Sequence, residues 1–205
     1  MYREYLGSAS FLVGLRRLDE EIAAEVRTAG CPHCGGALYT ANYPRRPRGL
    51  SCAVDGELAV RLSLCCGREG CRRRVTPPSV RFFGRRVYAA VAFLLVSTLL
   101  AERISEKVAG RIEFHIGVSL ETLKRWRRWW RERFVRSRFW SWARGMFSPT
   151  LSEHGVVASE IVERFGGVED GGGVSRCLRF LLPLSTASCP NIVRVAGAGS
   201  LSRRR

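Results

Sequence analysis

The chain has 205 residues, with 34 Lys and Arg against 18 Asp and Glu, a formal charge of +16. That length holds one compact domain or two small ones and excludes a large multidomain enzyme. Because 46% of residues are hydrophobic and 10% aromatic, there is enough apolar material for a core. The basicity therefore belongs to a folded surface and points to a polyanionic partner.

Residues 1–30 read as an N-terminal amphipathic helical segment. Over residues 10–29, Leu15, Leu18, Ile22 and Val26 recur at three- and four-residue steps, and Gly30 is placed to stop the helix. Asp19, Glu20, Glu21 and Glu25 form its predicted exposed face. This is the one acidic element, suited to packing on its neighbours or on a second subunit rather than on nucleic acid. The first apolar patch follows Glu4 and precedes no cleavage site, so the expectation is a cytoplasmic protein without a signal peptide.

Residues 31–76 change texture to Gly, Pro and short alternating stretches such as Ala59 to Leu64, the pattern of small strands. They carry most of the eight cysteines: Cys31 and Cys34 in CPHCGG, and Cys65, Cys66 and Cys71 in LCCGREGC, while Cys52, Cys177 and Cys189 stand alone. Clustering in pairs suits a metal better than four disulfides. A zinc ribbon needs two tight turns, each presenting two thiolates to a tetrahedral ion with bonds of about 2.3 Å. In the first turn proline stiffens the backbone, and Gly35 and Gly36 are expected to allow positive φ behind Cys34. In the second, Cys66 is preferred to Cys65 as the partner of Cys71, because Cys66 continues the face of Leu62 and Leu64. Cys65 stays open as the alternative. His33, inside the first turn, is expected to face solvent. Cys31, Cys34, Cys66 and Cys71 would fill all four positions, making the Zn2+ structural; free cytosolic thiols are the simpler alternative.

Residues 77–148 read as a helical domain, with helices over 87–101, about 104–114 and about 120–135. The run Val87 to Ala101 is the longest apolar stretch, but its 15 residues fall short of the roughly 18 to 20 needed to span a bilayer. It is predicted to be a buried core helix, with no membrane partner. The second and third helices, joined by a turn at His115 to Val118 with Ser119 as N-cap, have the order of a helix-turn-helix. On a helical wheel Leu123, Trp126, Trp130 and Phe134 share one side, and Lys124, Arg125, Arg128 and Arg131 share the other. The first face would pack on the core helix, and the second would offer its cations to a major groove. An ordinary solvated amphipathic helix is the alternative, and stacking of Trp129 and Trp130 on unpaired bases is disfavoured against core packing. Between Arg61 and Phe147 there are 20 Lys and Arg against six acids, a net of +14. Arg72, Arg73, Arg74, Arg81, Arg85 and Arg86 are the candidate phosphate contacts. Residues 149–205 read as short helical stretches, VVASEIVERF and VSRCLRFLL, around a flexible VEDGGG loop, followed by a basic tail from residue 187.

The segments CPHCGGALY, CGREGCRRRVTPPSVRFFGRRVY and GVSLETLKRWRRWWR resemble the zinc-ribbon plus helix-turn-helix DNA-recognition part of bacterial insertion-element transposases. They also resemble a group of small uncharacterised bacterial proteins of the same layout. The resemblance covers residues 15–145. It departs from the usual helix-turn-helix pattern in that Ala109 lies eight residues before Gly117 instead of four, with Glu113 at the small-residue position. What it implies is double-stranded DNA as partner, with a transposase or a second copy of the chain as candidate protein partner. After Arg144 only Glu153, Glu160, Glu163, Glu169 and Asp170 are acidic, too few and too unpatterned for the convergent carboxylates of a nuclease domain. No catalytic Ser/His/Asp or Cys/His set stands out. The expectation is a mainly α protein with a small β zinc-ribbon module that binds DNA non-enzymatically. An RNA-binding zinc-ribbon protein, and a protein-interaction subunit of a transposition or defence complex, are the alternatives.

Overall fold

The computed structural model describes residues 2–54, 56–84, 87–101, 105–147, 157–168 and 171–186. Among them the chain is mainly helical, with two small antiparallel sheets. Helix α1 (Tyr2–Gly7) leads into α2 (Ala9–Ala29), whose start is capped by the Ser8 hydroxyl accepting from the Phe11 backbone N–H. Gly30, at φ 76°, ends it. Helix α2 joins two cores: Leu12 and Leu15 enter a large helical core, whereas Val26 packs with Leu38, Leu64 and Val75 around the cysteines.

The predicted acidic face of α2 needs a correction. Glu20, Glu21 and Glu25 are exposed, but Asp19 is 1% exposed and sits within the buried stripe Leu12, Leu15, Asp19, Ala23 and Val26. Its Oδ1 accepts from the Val80 N–H at 2.8 Å, and its Oδ2 accepts from the Ser79 hydroxyl at 2.6 Å and the Arg81 Nε–H at 2.9 Å. A buried carboxylate persists only with this many donors around it.

The stretch from Ala59 to Leu64 does not form one strand. Strands β1 (Leu38–Thr40), β4 (Leu64–Cys66) and β5 (Arg74–Val75) make a three-stranded sheet in the order β1-β4-β5. Strands β2 (Tyr43–Pro44) and β3 (Val60–Arg61) pair separately. The break leaves Arg61 buried, with its Nη2 donating to the Pro77 carbonyl and its guanidinium over the Phe82 ring.

Helix α3 (Ala90–Thr98) starts three residues later than its apolar run, because Tyr88 and Ala89 are held by backbone bridges to Arg48 and Phe82. Its residues from Ala90 to Ser97 are all buried. Around it pack α4 (Glu106–Ile116), α5 (Leu120–Arg128), α6 (Arg138–Ala143), α7 (Val157–Arg164) and α8 (Gly171–Phe180). Helix α5 runs on into a π-helical turn, Trp129–Phe134. The wider turn carries half-buried Trp129 against Phe83 and Phe93 while Trp130 stacks on Phe93 at 5.6 Å. The glycines of VEDGGG are not loop: Gly171–Gly173 form the first turn of α8. There a Cβ on Gly173 would lie 2.9 Å from the Phe165 carbonyl oxygen. The tail from residue 187 lies outside the described residues. Among these residues no helix is long and apolar enough to cross a membrane.

Trp126 and Trp130 are buried beside Phe93. Truncating either to Ala should cost about 3 to 5 kcal/mol in denaturant unfolding, through the lost burial and the cavity left behind. A variant with an unchanged melting temperature would place that ring outside the core.

Candidate metal centre and basic helix face

Two turns bring four sulfurs together. In the first, the Gly35 N–H donates to the Cys31 carbonyl at 2.8 Å and the Cys31 N–H to the Gly36 carbonyl at 2.9 Å, closing the loop on itself. Gly35 has φ 71°. Gly36 does not share that conformation; its role is close approach, since a Cβ there would lie 3.2 Å from Cys66 Sγ and 3.1 Å from Arg68 Cβ. In the second turn Cys66 ends β4, and the Cys71 N–H donates to the Arg68 carbonyl at 3.1 Å. Arg68 Nη1 also donates to the Cys34 carbonyl at 3.1 Å, tying one turn to the other. That contact had no mark in the sequence beyond the place of Arg68 inside CGREGC.

The Sγ atoms of Cys31, Cys34, Cys66 and Cys71 all lie within 4.8 Å of one another. The pairs Cys34–Cys66 and Cys31–Cys71 stand at 3.4 and 3.8 Å. A tetrahedral ion with metal–sulfur bonds of about 2.3 Å has sulfur–sulfur edges of about 3.8 Å, so this donor set fits such an ion, and the cluster could hold a metal. The Gly36 N–H, followed by the Cys66 thiol, brings the Cys34 thiol down to about 7. At Cys66 the Arg68 N–H acts to lower the thiol, but burial and the three neighbouring sulfurs outweigh it and push it up to about 12. One easily ionised thiol beside a resistant one is the imbalance that a divalent cation would remove by ionising all four.

Cys65 is not in the cluster. It pairs with Tyr39 and Arg74 on the other face of β4, and its thiol donates to the Arg72 carbonyl at 3.4 Å. His33 is exposed, with Nδ1 at 3.2 Å from Arg73 Nη1, and contributes nothing to the centre. Cys52 and Cys177 lie apart from it, Cys177 with its thiol pushed up by burial.

The candidate nucleic-acid residues divide into three groups. Arg72, Arg73 and Arg74 are exposed around the second turn, Arg72 with φ 44°. Arg81 is a correction: it is 4% exposed, its Nε–H is bound to Asp19, and Nη1 and Nη2 donate to the Leu58 and Val60 carbonyls. All of its donor groups are engaged inside the protein, so it is not available to a phosphate. Arg85 and Arg86 lie outside the described residues. On α5 and the π-turn, Leu123, Trp126, Trp130 and Phe134 are buried, while Lys124, Arg125, Arg128 and Arg131 are exposed. Lys124 Nζ donates to Glu121 Oε1 at 2.7 Å and Arg125 Nη2 to Thr122 Oγ1 at 2.8 Å. Before this helix, α4 starts at Ser105, whose hydroxyl accepts from the Val108 N–H, and ends at left-handed Gly117. Extended Ser119 then opens α5, so two helices are joined by a three-residue turn. No family model matches the chain, nor does any curated protein or solved structure.

Proposed function

We propose that the chain binds duplex DNA without an enzymatic step, laying α5 along a major groove, and that the four-cysteine centre holds structural zinc. The observation that carries this reading is the division of α5 and its π-turn into a row fixed in the core and an opposite row of four exposed cations. A helix anchored this way presents its cations in a set orientation, which a groove requires and a loose basic segment does not supply. The four-thiolate donor set leaves no open coordination position, so the metal would hold the β1-β4-β5 sheet beside α2 and do no chemistry.

The test is duplex binding by the full chain, followed by fluorescence anisotropy across a salt series. Lys124→Ala, Arg128→Ala and Arg131→Ala should keep the wild-type melting temperature and weaken binding. A residue that touches only phosphate should weaken all sequences alike and lower the salt slope by about one unit; one that reads a guanine edge should cost about 1 to 3 kcal/mol on the preferred site alone. Arg128, at the centre of the row, is expected to be the base reader, with Lys124 and Arg131 nearer the phosphates. Unchanged affinity in all three variants would overturn the reading. Preference for a matched RNA duplex would transfer it to A-form RNA.

A further inference from the structure

We propose that the outward face of the β1-β4-β5 sheet is a separate platform for single-stranded DNA. Tyr39 would stack on an unpaired base, and Arg72 and Arg74 would meet the phosphates beside it. The sheet has two unlike faces. Leu38, Leu64, Cys66 and Val75 point into the small core around the sulfurs. The register places Tyr39 opposite Cys65 and Cys65 opposite Arg74, so these three side chains form one row across the other face. Tyr39 is 63% exposed, an unusual position for so large a ring on a sheet that has a core of its own to fill.

The ring is held in place. It lies over the backbone of Gly67, where a Cβ would come within 2.8 Å of Tyr39 Cδ2, so the absence of a side chain at residue 67 is what gives the ring its seat. Charge around it is one-sided. Arg72 is exposed on the turn leading into β5, its carbonyl accepting from the Cys65 thiol, and Arg74 is fixed at the end of the row by donating to the Ala41 carbonyl at 2.9 Å and lying over the Tyr43 ring, while Arg73 lies toward the other face beside His33. Glu69 is the acid of that turn. An aromatic ring flanked by guanidinium groups is the chemistry that takes an unpaired base together with its backbone, because every base has a π-face while every linkage carries a phosphate. A paired base cannot use it, since its faces are already stacked in the duplex. This surface is distinct from α5; the inference rests on the duplex reading only in choosing DNA over RNA.

The test is anisotropy of the metal-loaded full chain with labelled oligo-dT of about 15 nucleotides, a length within the usual span of such sites. A duplex and an oligo-U of equal length are measured in parallel. Tyr39→Ala should weaken oligo-dT binding about ten-fold or more while leaving duplex binding and metal content unchanged. Tyr39→Trp should preserve oligo-dT binding. Tyr39→Leu, which keeps an apolar side chain over Gly67 but has no π-face, should lose it with the fold intact. Arg128→Ala should do the reverse of Tyr39→Ala, weakening the duplex and sparing oligo-dT. Unchanged oligo-dT affinity in Tyr39→Ala, equal losses on duplex and single strand, or a Tyr39→Leu protein that binds oligo-dT as wild type would each overturn the platform. Tighter binding of oligo-U would overturn the choice of DNA. Loss of oligo-dT binding in Tyr39→Ala beside a duplex that never binds would instead uphold the platform and remove the α5 reading.

Discussion

Replacement of Cys31, Cys34, Cys66 or Cys71 by Ser is expected to release the metal and unfold the β1-β4-β5 sheet with its two cysteine turns, whereas Cys65→Ser and Cys52→Ser are expected to retain both metal and fold. The reason lies in the size of the core beside the sulfurs. Apart from the cysteines it contains, among the described residues, only Val26, Leu38, Leu64 and Val75 as buried apolar side chains, far too little to hold a sheet of two- and three-residue strands. Binding of structural zinc to four such ligands contributes on the order of 10 to 16 kcal/mol, and where the apo state is unfolded that energy is folding energy. The damage should stay partly local. Helix α2 lends Val26 to the small core but Leu12 and Leu15 to the large one, so α3 and α5 should keep their helicity. Metal analysis of protein purified without chelator should give one zinc per chain, with the Cys66 and Cys65 variants as the informative pair. Protein without metal, or a Cys65→Ser protein that lost it while Cys66→Ser kept it, would refute the assignment.

The cysteine pairing could be read from the sequence because it obeys two short-range rules: the CPHC turn and the alternation of a strand. Cys66 faces the core and Cys65 faces away, as the period of two requires. The two sides of α5 were legible for the same reason, since apolar and basic residues segregate cleanly at helical spacing. What failed was the rule that charge means surface. Leu12, Leu15, Asp19, Ala23 and Val26 follow one another at steps of three and four residues, so the place of Asp19 on the buried stripe was available in the spacing of α2. The stripe expected through Leu18 and Ile22 is instead half-buried at those two residues. Arg81 stands between Val80 and Phe82 in an otherwise buried run, a second hint of the same kind. Their pairing across 62 residues is a tertiary contact that no local pattern encodes. The late start of α3 has a similar origin: Tyr88 and Ala89 are apolar enough for a helix, but their backbones are taken by Arg48 and Phe82. The π-turn at Trp129–Phe134, where both neighbouring tryptophans contact Phe93, also escapes a periodicity that assumes 3.6 residues per turn throughout.

Asp19→Ala is expected to destabilise the fold by roughly 5 kcal/mol, because breaking a buried ion pair costs about 3 to 5 kcal/mol and an orphaned backbone N–H adds about 1 to 3. Arg81 would keep its carbonyl partners at Leu58 and Val60 but lose its counter-charge. Arg61 makes this worse. It is buried beside the same Phe82 ring, its Nε and Nη1 have no hydrogen-bond partner among the described residues, and Asp19 is the carboxylate that supports its charge. Burial already holds both guanidinium groups below their usual range, Arg61 at about 10, so neither has charge stabilisation to spare. The effect should be insensitive to salt, since ions do not screen a buried pair as they do an exposed one. Glu20→Ala, which removes the exposed partner of Arg16 one residue along α2, should cost under about 1 kcal/mol and serves as the comparison. The double replacement of Asp19 by Leu and Arg81 by Met should recover only part of the lost stability, because it removes both charges of the pair but leaves Arg61 without its carboxylate and the Val80 N–H without its acceptor. A melting temperature for Asp19→Ala equal to that of Glu20→Ala would show that the carboxylate is solvated rather than buried. The double variant also separates stability from recognition. With Arg81 engaged inside the protein, the double variant should bind duplex DNA with the wild-type salt slope, whereas loss of one phosphate contact would lower that slope by about one unit.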